Sequence, residues 1–245
     1  MKITMFKYSI LSIALSILLL TSCKAQSSQT SNQAPKVDNY TYGEHDLKVI
    51  PFGIGKEINV GKINEDGTIE LNWPEIDLAT IENRAVFMED LKRVITRGSY
   101  CEDDQIEENN EDCLVVDTEY IHLFKNEKRV GILFPGSQKD LLENHPSSPY
   151  ENLALGTSIS WYYSSGTGIF KANCSENIVW EGKYDFNKER NYDIQLKEGW
   201  NMVQFDMFEK EEWKDEVGTG NMEKKGSKKT IDKIPENINW YVKMF

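Results

Sequence analysis

Seven carboxylates crowd the eleven residues from Glu102 to Asp112, set between Cys101 and Cys113. Calcium takes six to eight oxygen ligands, and this loop is the chain's densest supply of them. Its spacing is not that of a helix–loop–helix site, and no glycine provides the sharp turn such a site needs. The expectation is therefore a solvated charged loop, with no metal. Only three histidines occur. His122 alternates with Tyr120 and Phe124 and reads as a packed strand residue. His145 sits before Pro146 in a polar loop, and His45 precedes the first strand. Zinc is not expected, because the ligand spacing is wrong and histidine is scarce. No HExxH, GxSxG or phosphate-loop pattern is present, so no catalytic residue and no cofactor are assigned. Carboxylate-pair hydrolysis needs no fixed sequence spacing, which keeps a secreted hydrolase of polysaccharide or peptide as the alternative reading. One aromatic cluster stands out, Trp161-Tyr162-Tyr163. Strand alternation sends Trp161 and Tyr163 to the face of Ile159, the expected core. Tyr162 goes to the other face, among Ser158, Ser160 and Ser164, as the candidate ligand contact for a sugar or peptide.

The start of the chain carries an address. Lys2 and Lys7 precede an apolar run, Ile10 to Leu20, that ends in Leu20-Thr21-Ser22-Cys23. A positive start, a short apolar core and small residues before a cut are the marks of a secretory signal peptide. The run is shorter than the roughly 20 apolar residues a spanning helix needs. A cysteine right after Leu-Thr-Ser resembles the lipobox of bacterial lipoproteins. The resemblance implies that residues 1–22 are removed and that Cys23 becomes the lipidated first residue, carrying acyl chains such as palmitate. The bilayer would then be a partner through the acylated N-terminus. Similar lipoproteins of Bacteroidota type imply anchoring at the outer membrane. Their surface export goes with acidic residues after the cysteine, whereas Lys24-Ala25-Gln26 stands here, which favours the periplasmic face.

The other three cysteines would then lie in an oxidising compartment, where disulfides persist. Cys101 and Cys113 bracket a short loop, whose closure would stabilise by about 3 kcal/mol in the chain-entropy model. A Cys101–Cys113 bridge is the expectation, with a pair to Cys174 as its alternative. In the first case Cys174, on a face with Phe170 and Ala172, is a buried thiol. Removing residues 1–22, with their two lysines, takes the formal net charge from −12 to −14 over the remaining 223 residues. Such a surface repels phosphate backbones, so nucleic acid is not an expected partner.

These residues must be positioned by β structure. Residues 23–37 read as a polar tether. Leu47 and Val49, then Ile58, Val60 and Ile63, then Ile69, Leu71 and Trp73 alternate with polar residues around the turn Asn64-Glu65-Asp66-Gly67. Residues 46–74 resemble small transthyretin-like and carboxypeptidase-regulatory-like β modules. Phe87, Leu91, Val94 and Ile95 fall at helical spacing and predict one helix over about 79–97. Strands are expected over 113–124, 129–134, 158–163, 169–174, 178–181, 192–196, 200–208 and 238–242. Glu209 to Lys233, acidic and then lysine-rich, reads as a charged loop. Leu196, Gly199, Trp200 and Asn201 resemble a Leu-x-x-Gly-Trp-Asn hairpin turn found in uncharacterised bacterial secreted proteins and lipoproteins.

The resulting expectation is a mainly β chain. A small module, 38–78, precedes a helix plus antiparallel β-sandwich-like domain, 79–245. Its expected role is a lipid-anchored envelope protein with a non-enzymatic binding or structural function.

Overall fold

A computed structural model describes residues 34–51, 56–80, 88–97, 101, 106–109, 113–118, 120–143, 153–180, 184–214 and 219–245. Cys23, His145 and most of the acidic loop lie outside them. Residues 34–245 form one compact unit.

The chain is mainly β, as its alternating sequence predicts. The first strands are β1 (His45–Val49), β2 (Ile58–Ile63) and β3 (Ile69–Leu71). They pair antiparallel in the order β3-β2-β1. The turn before β3 is built by Asp66, whose carboxylate accepts from the Thr68 amide (3.0 Å) and hydroxyl (2.9 Å). Gly67, at φ +85°, completes it. A Cβ there would meet the Val37 carbonyl oxygen at 2.6 Å. Val37 is buried and its amide bonds to the Gly67 carbonyl, so the packed domain already includes the last residues of the expected tether.

β1 next pairs with β7 (Ile121–Lys125), which continues through a two-residue turn into β8 (Lys128–Gly136). Asn126 and Glu127 both have positive φ there, the hairpin-turn geometry that matches strand twist. The last strand, β14 (Asn239–Met244), runs along the other side of β8. Leu47, Val60, Ile63, Leu123, Leu133, Trp161 and Trp240 fill the core of this half.

Strand β9 (Gly156–Ser164) is the centre of the molecule. It pairs over its whole length with β12 (Gly199–Lys214) and at its end with β6 (Leu114–Asp117). Beyond β12 the order is β13 (Thr219–Ile231), β11 (Tyr184–Leu196), β10 (Gly168–Trp180) and β5 (Glu107–Asn109). The sheet is mostly antiparallel, as expected, with one parallel pairing, β11 with β13.

That parallel pair reinterprets the Leu196-Gly199-Trp200-Asn201 motif. β11 and β12 leave a tight turn, with Gly199 at φ +90°, but they splay and β13 inserts between them. Asn201 holds the splayed turn. Its carboxamide accepts from the Lys197 amide (3.0 Å) and donates to the Lys197 carbonyl (2.7 Å), as a partner strand would. Trp200 donates to the Pro74 carbonyl at 2.7 Å.

Three further expectations are corrected. The helix is short: α1 spans Leu91–Thr96, capped by Asp90, because Glu89 and Asp90 are already paired with β6 as strand β4 (Glu89–Asp90). A 3₁₀ turn covers Leu78–Thr80, residues 81–87 lie outside the described set, and a second short helix, α2, spans Asp140–Glu143. The charged stretch after Phe208 is no loop, because β12 and β13 extend through it as a two-stranded ribbon. Acidic residues on one strand meet lysines on the other, with Lys224 at 2.9 Å from Glu209 and 3.0 Å from Glu211. The disulfide joins Cys101 to Cys174, not to Cys113. β5 pairs antiparallel with β10, which carries the chain back along β10 toward Cys174. Cys113 starts β6 on the other side, buried as a free thiol against the Ser164 hydroxyl at 3.1 Å. Gly168 makes room for it, since a Cβ there would lie 2.6 Å from the Cys113 sulfur.

Candidate functional site

Because β9 is central, both of its faces are covered. Trp161 turns into the first core, stacked on Trp73 (5.0 Å between centroids) and Trp240 (6.0 Å). Tyr162 turns the other way and is only 3% exposed, so it is not the surface platform expected of it. It lies in a second core formed by α1, β10, β11 and β12, with Leu91, Ile95, Phe170 and Ile194.

Strand register builds a cavity of about 310 Å³ on the Tyr162 face. Ser158, Ser160 and Tyr162 form a ladder along β9. Ser158 is level with Phe205 on β12, Phe205 with Lys228 on β13, and Lys228 with Tyr192 on β11. One row further on, Gly156, Met207, Gly226 and Arg190 are level across the same strands. Ser158, Ser160, Tyr162, Phe205, Arg190 and Lys228 all line the cavity. Among the described residues, the hydroxyls of Ser158, Ser160 and Tyr162 make no hydrogen bond within the protein. By contrast Ser164, at the end of the same ladder, donates to the Gly166 carbonyl at 2.7 Å and lies outside the cavity.

Two cations stand on the facing strands in different states. Arg190 is forked onto Glu223, its Nε donating to Oε1 at 2.8 Å and a terminal nitrogen contacting Oε2. Both side chains are nearly buried, so the carboxylate is needed to offset the desolvated guanidinium. Gly226 clears the path for that carboxylate, since a Cβ there would sit 2.3 Å from Glu223 Oε1. Lys228 is 7% exposed and, among the described residues, has no carboxylate within 4 Å. Its Nζ donates to the Ile95 carbonyl at 2.6 Å, at the C-terminal turn of α1. Phe205 lies between the two cations, with its ring centre 5.4 Å from the Arg190 guanidinium carbon and 5.9 Å from Lys228 Nζ. Burial first, and then the charges of Arg190 and Arg97, push the Lys228 amine well below the ordinary lysine range. Burial, then the nearby Asp117 charge, pushes the Tyr162 hydroxyl up. Lys188, on the same strand as Arg190, is lowered to about 8 by burial and by Arg190.

Two other cavities carry less chemistry. A wide cleft of about 820 Å³ exposes Asp77, Asp90 and Glu198. Asp77 is occupied with the Ala79 amide (3.0 Å) and Asp90 with the Arg93 amide (2.9 Å), both as local caps. A pocket of about 220 Å³ is walled by Trp73, Trp161 and Trp200, whose faces are largely spent on one another. No group of three or more metal-ligating side chains occurs among the described residues. His122 is buried on β7 with its Nδ1 unpartnered, and burial lowers it to about 4. His45 begins β1, with its Nδ1 2.8 Å from the Tyr40 hydroxyl.

Of the residues singled out from sequence, the described structure brings Tyr162, Ser158 and Ser160 to one cavity and Cys101 to Cys174. Alternation along β9 made that ladder legible. Arg190, Glu223 and Lys228 were missed, because a lysine-rich run reads as solvent-facing until β13 is inserted between β12 and β11. The chain matches no family model, no curated protein and no solved structure.

Proposed function

We propose that this chain is an envelope lipoprotein anchored through Cys23, whose β domain binds a small ligand without turning it over. The carrying observation is the ladder of Ser158, Ser160 and Tyr162. Three hydroxyls without protein partners face a partly open cavity that Lys228 also lines. Ser158 and Ser160 are partly exposed and Tyr162 is buried, so their hydroxyls are not spent inside the protein and stay available to a ligand in the cavity. Apolar walls with a few converging polar groups are what small-molecule sites have in common. Phe134, Leu141, Phe205 and Met207 provide the walls here. The anchor rests on Leu20-Thr21-Ser22-Cys23, and the bilayer would be the partner of the acylated terminus. No helix among the described residues is long and apolar enough to cross a membrane.

Native mass spectrometry of the full-length protein, extracted from membranes in mild detergent, tests both parts. The expected result is a mature N-terminus at Cys23 carrying acyl chains, and a co-purifying small molecule that is lost in Ser160→Leu. An unmodified Cys23 thiol in the mature protein would remove the anchor. Turnover of a glycan or peptide, abolished by one carboxylate substitution, would replace binding by hydrolysis.

A further inference from the structure

We infer that Lys228 is a nucleophilic amine that holds a small aldehyde or ketone in the cavity as a reversible imine. The inference rests on the binding reading of this cavity and names the class of ligand it takes. The geometry that carries it is unusual for lysine. Lysine side chains are almost never fully buried unless paired with a charge, yet Lys228 is 93% buried and, among the described residues, its hydrogen bond goes to a backbone carbonyl. Its neighbours in the row are apolar or aromatic, Phe205 on one side and Tyr192 on the other. The charged groups around it come from every packed element. Arg190 and Lys188 stand on β11, Arg97 follows α1, Asp117 ends β6, and Glu223 lies on β13. Arg190 is held by Glu223, and Arg97 by Asp117. The surroundings therefore disfavour an ammonium, and a desolvated lysine beside other cations is an activated amine nucleophile.

The step balances without any redox partner. The Nζ lone pair adds to the carbonyl carbon to give a carbinolamine. Both amine protons end on the departing oxygen, water leaves, and a C=N bond replaces C=O. Hydrolysis reverses it and returns the carbonyl compound intact. Ser158, level with Phe205 and Lys228 on the same face, offers a hydroxyl to the carbonyl oxygen. The apolar walls suit a short carbon chain, and the cavity's volume of about 310 Å³ limits the compound to a small molecule.

Full-length protein treated with propanal and cyanoborohydride, followed by peptide mapping, provides the test. The reductant traps any imine as a stable secondary amine. Lys228 should be labelled severalfold faster than the exposed Lys128, because a desolvated amine is held more in its free-base form. Lys228→Met should lose the label, and labelling of the unaltered protein remains the readout if that variant does not fold. Labelling of surface lysines with Lys228 unmodified would overturn the inference. If a co-purified molecule is then still displaced by Ser160→Leu, the binding reading survives without the imine. If Lys228 labels equally fast in Ser160→Leu, the amine is reached by another route, and the assignment of this cavity as the binding site falls.

Discussion

The two faces of β9 are built from adjacent residues and solve opposite problems. On one, Trp161 completes an apolar core with Trp73, Trp240 and Leu123. On the other, one residue later, Tyr162 lines a partly open cavity with hydroxyls, a forked Arg190–Glu223 pair and a desolvated lysine. The first face is what a β sheet needs in order to fold. The second contains groups that cost free energy to bury, and it is tolerated because the disulfide, α1 and the β12–β13 pairing hold it. Stability and ligand chemistry are thus separated by a single step along one strand.

The largest effect that would break this comparison belongs to the apolar face. Trp161→Ala should cost about 3–5 kcal/mol in urea unfolding, because it leaves a cavity among stacked indoles. A loss below 1 kcal/mol would mean that the two faces are not so divided.

The clamp on the wet face comes next. Cys101–Cys174 closes a separation of 73 residues. In the chain-entropy model that constraint is worth about 4 kcal/mol, against about 3 for the short loop expected from sequence. Cys101→Ser with Cys174→Ser should lower the unfolding free energy by about 2–4 kcal/mol. Cys113→Ser should leave the bridge intact in non-reduced peptide maps, and a link to Cys113 would reverse the assignment.

His122 sharpens the contrast from the other half of the molecule. Like Lys228 it is a buried base whose charged form burial disfavours, but it lines none of the three cavities described above. Its native value, about 4, lies below the unfolded 6.5, with burial as the main cause and the Arg129 charge second. Between those values the unfolded chain binds a proton that the native chain does not. Stability therefore falls as pH drops through 6.5 toward 4, by up to about 3 kcal/mol at the foot. Urea unfolding at pH 7 and pH 4.5 should show this loss in the unaltered protein and a smaller one in His122→Phe.

The smallest expected change is Ser160→Ala. Since its hydroxyl has no protein partner, unfolding should move by less than about 0.5 kcal/mol, while retention of the co-purified ligand should drop. A large stability loss with unchanged retention would make Ser160 a structural residue.

Local alternation decided much of this protein in advance. The strands from β1 to β3, the β7–β8 and β9 runs, and the last strand follow from period-two patterning, and the Asp66-Gly67 and Asn126-Glu127 turns from residue chemistry. The sequence also placed Ser158, Ser160 and Tyr162 on one face, because side-chain period in a strand is fixed by the backbone. The charged ribbon after Phe208 held its own signal, acidic residues followed by lysines, but cross-strand pairing gives that order a meaning only once a hairpin exists. Whether Tyr162 met solvent or a second layer was a property of β9's position in the sheet, and nothing local encodes position. Cysteine pairing followed the same logic: nearness in sequence favoured Cys113, whereas the antiparallel β5–β10 ladder brought Cys101 to Cys174. Lys228 and Arg190 became a site only because β13 enters between β12 and β11, a parallel contact between strands separated in the chain by β12. Burial and partnership are sums over the whole fold, and for that reason the tertiary structure alone decided which side chains share the cavity.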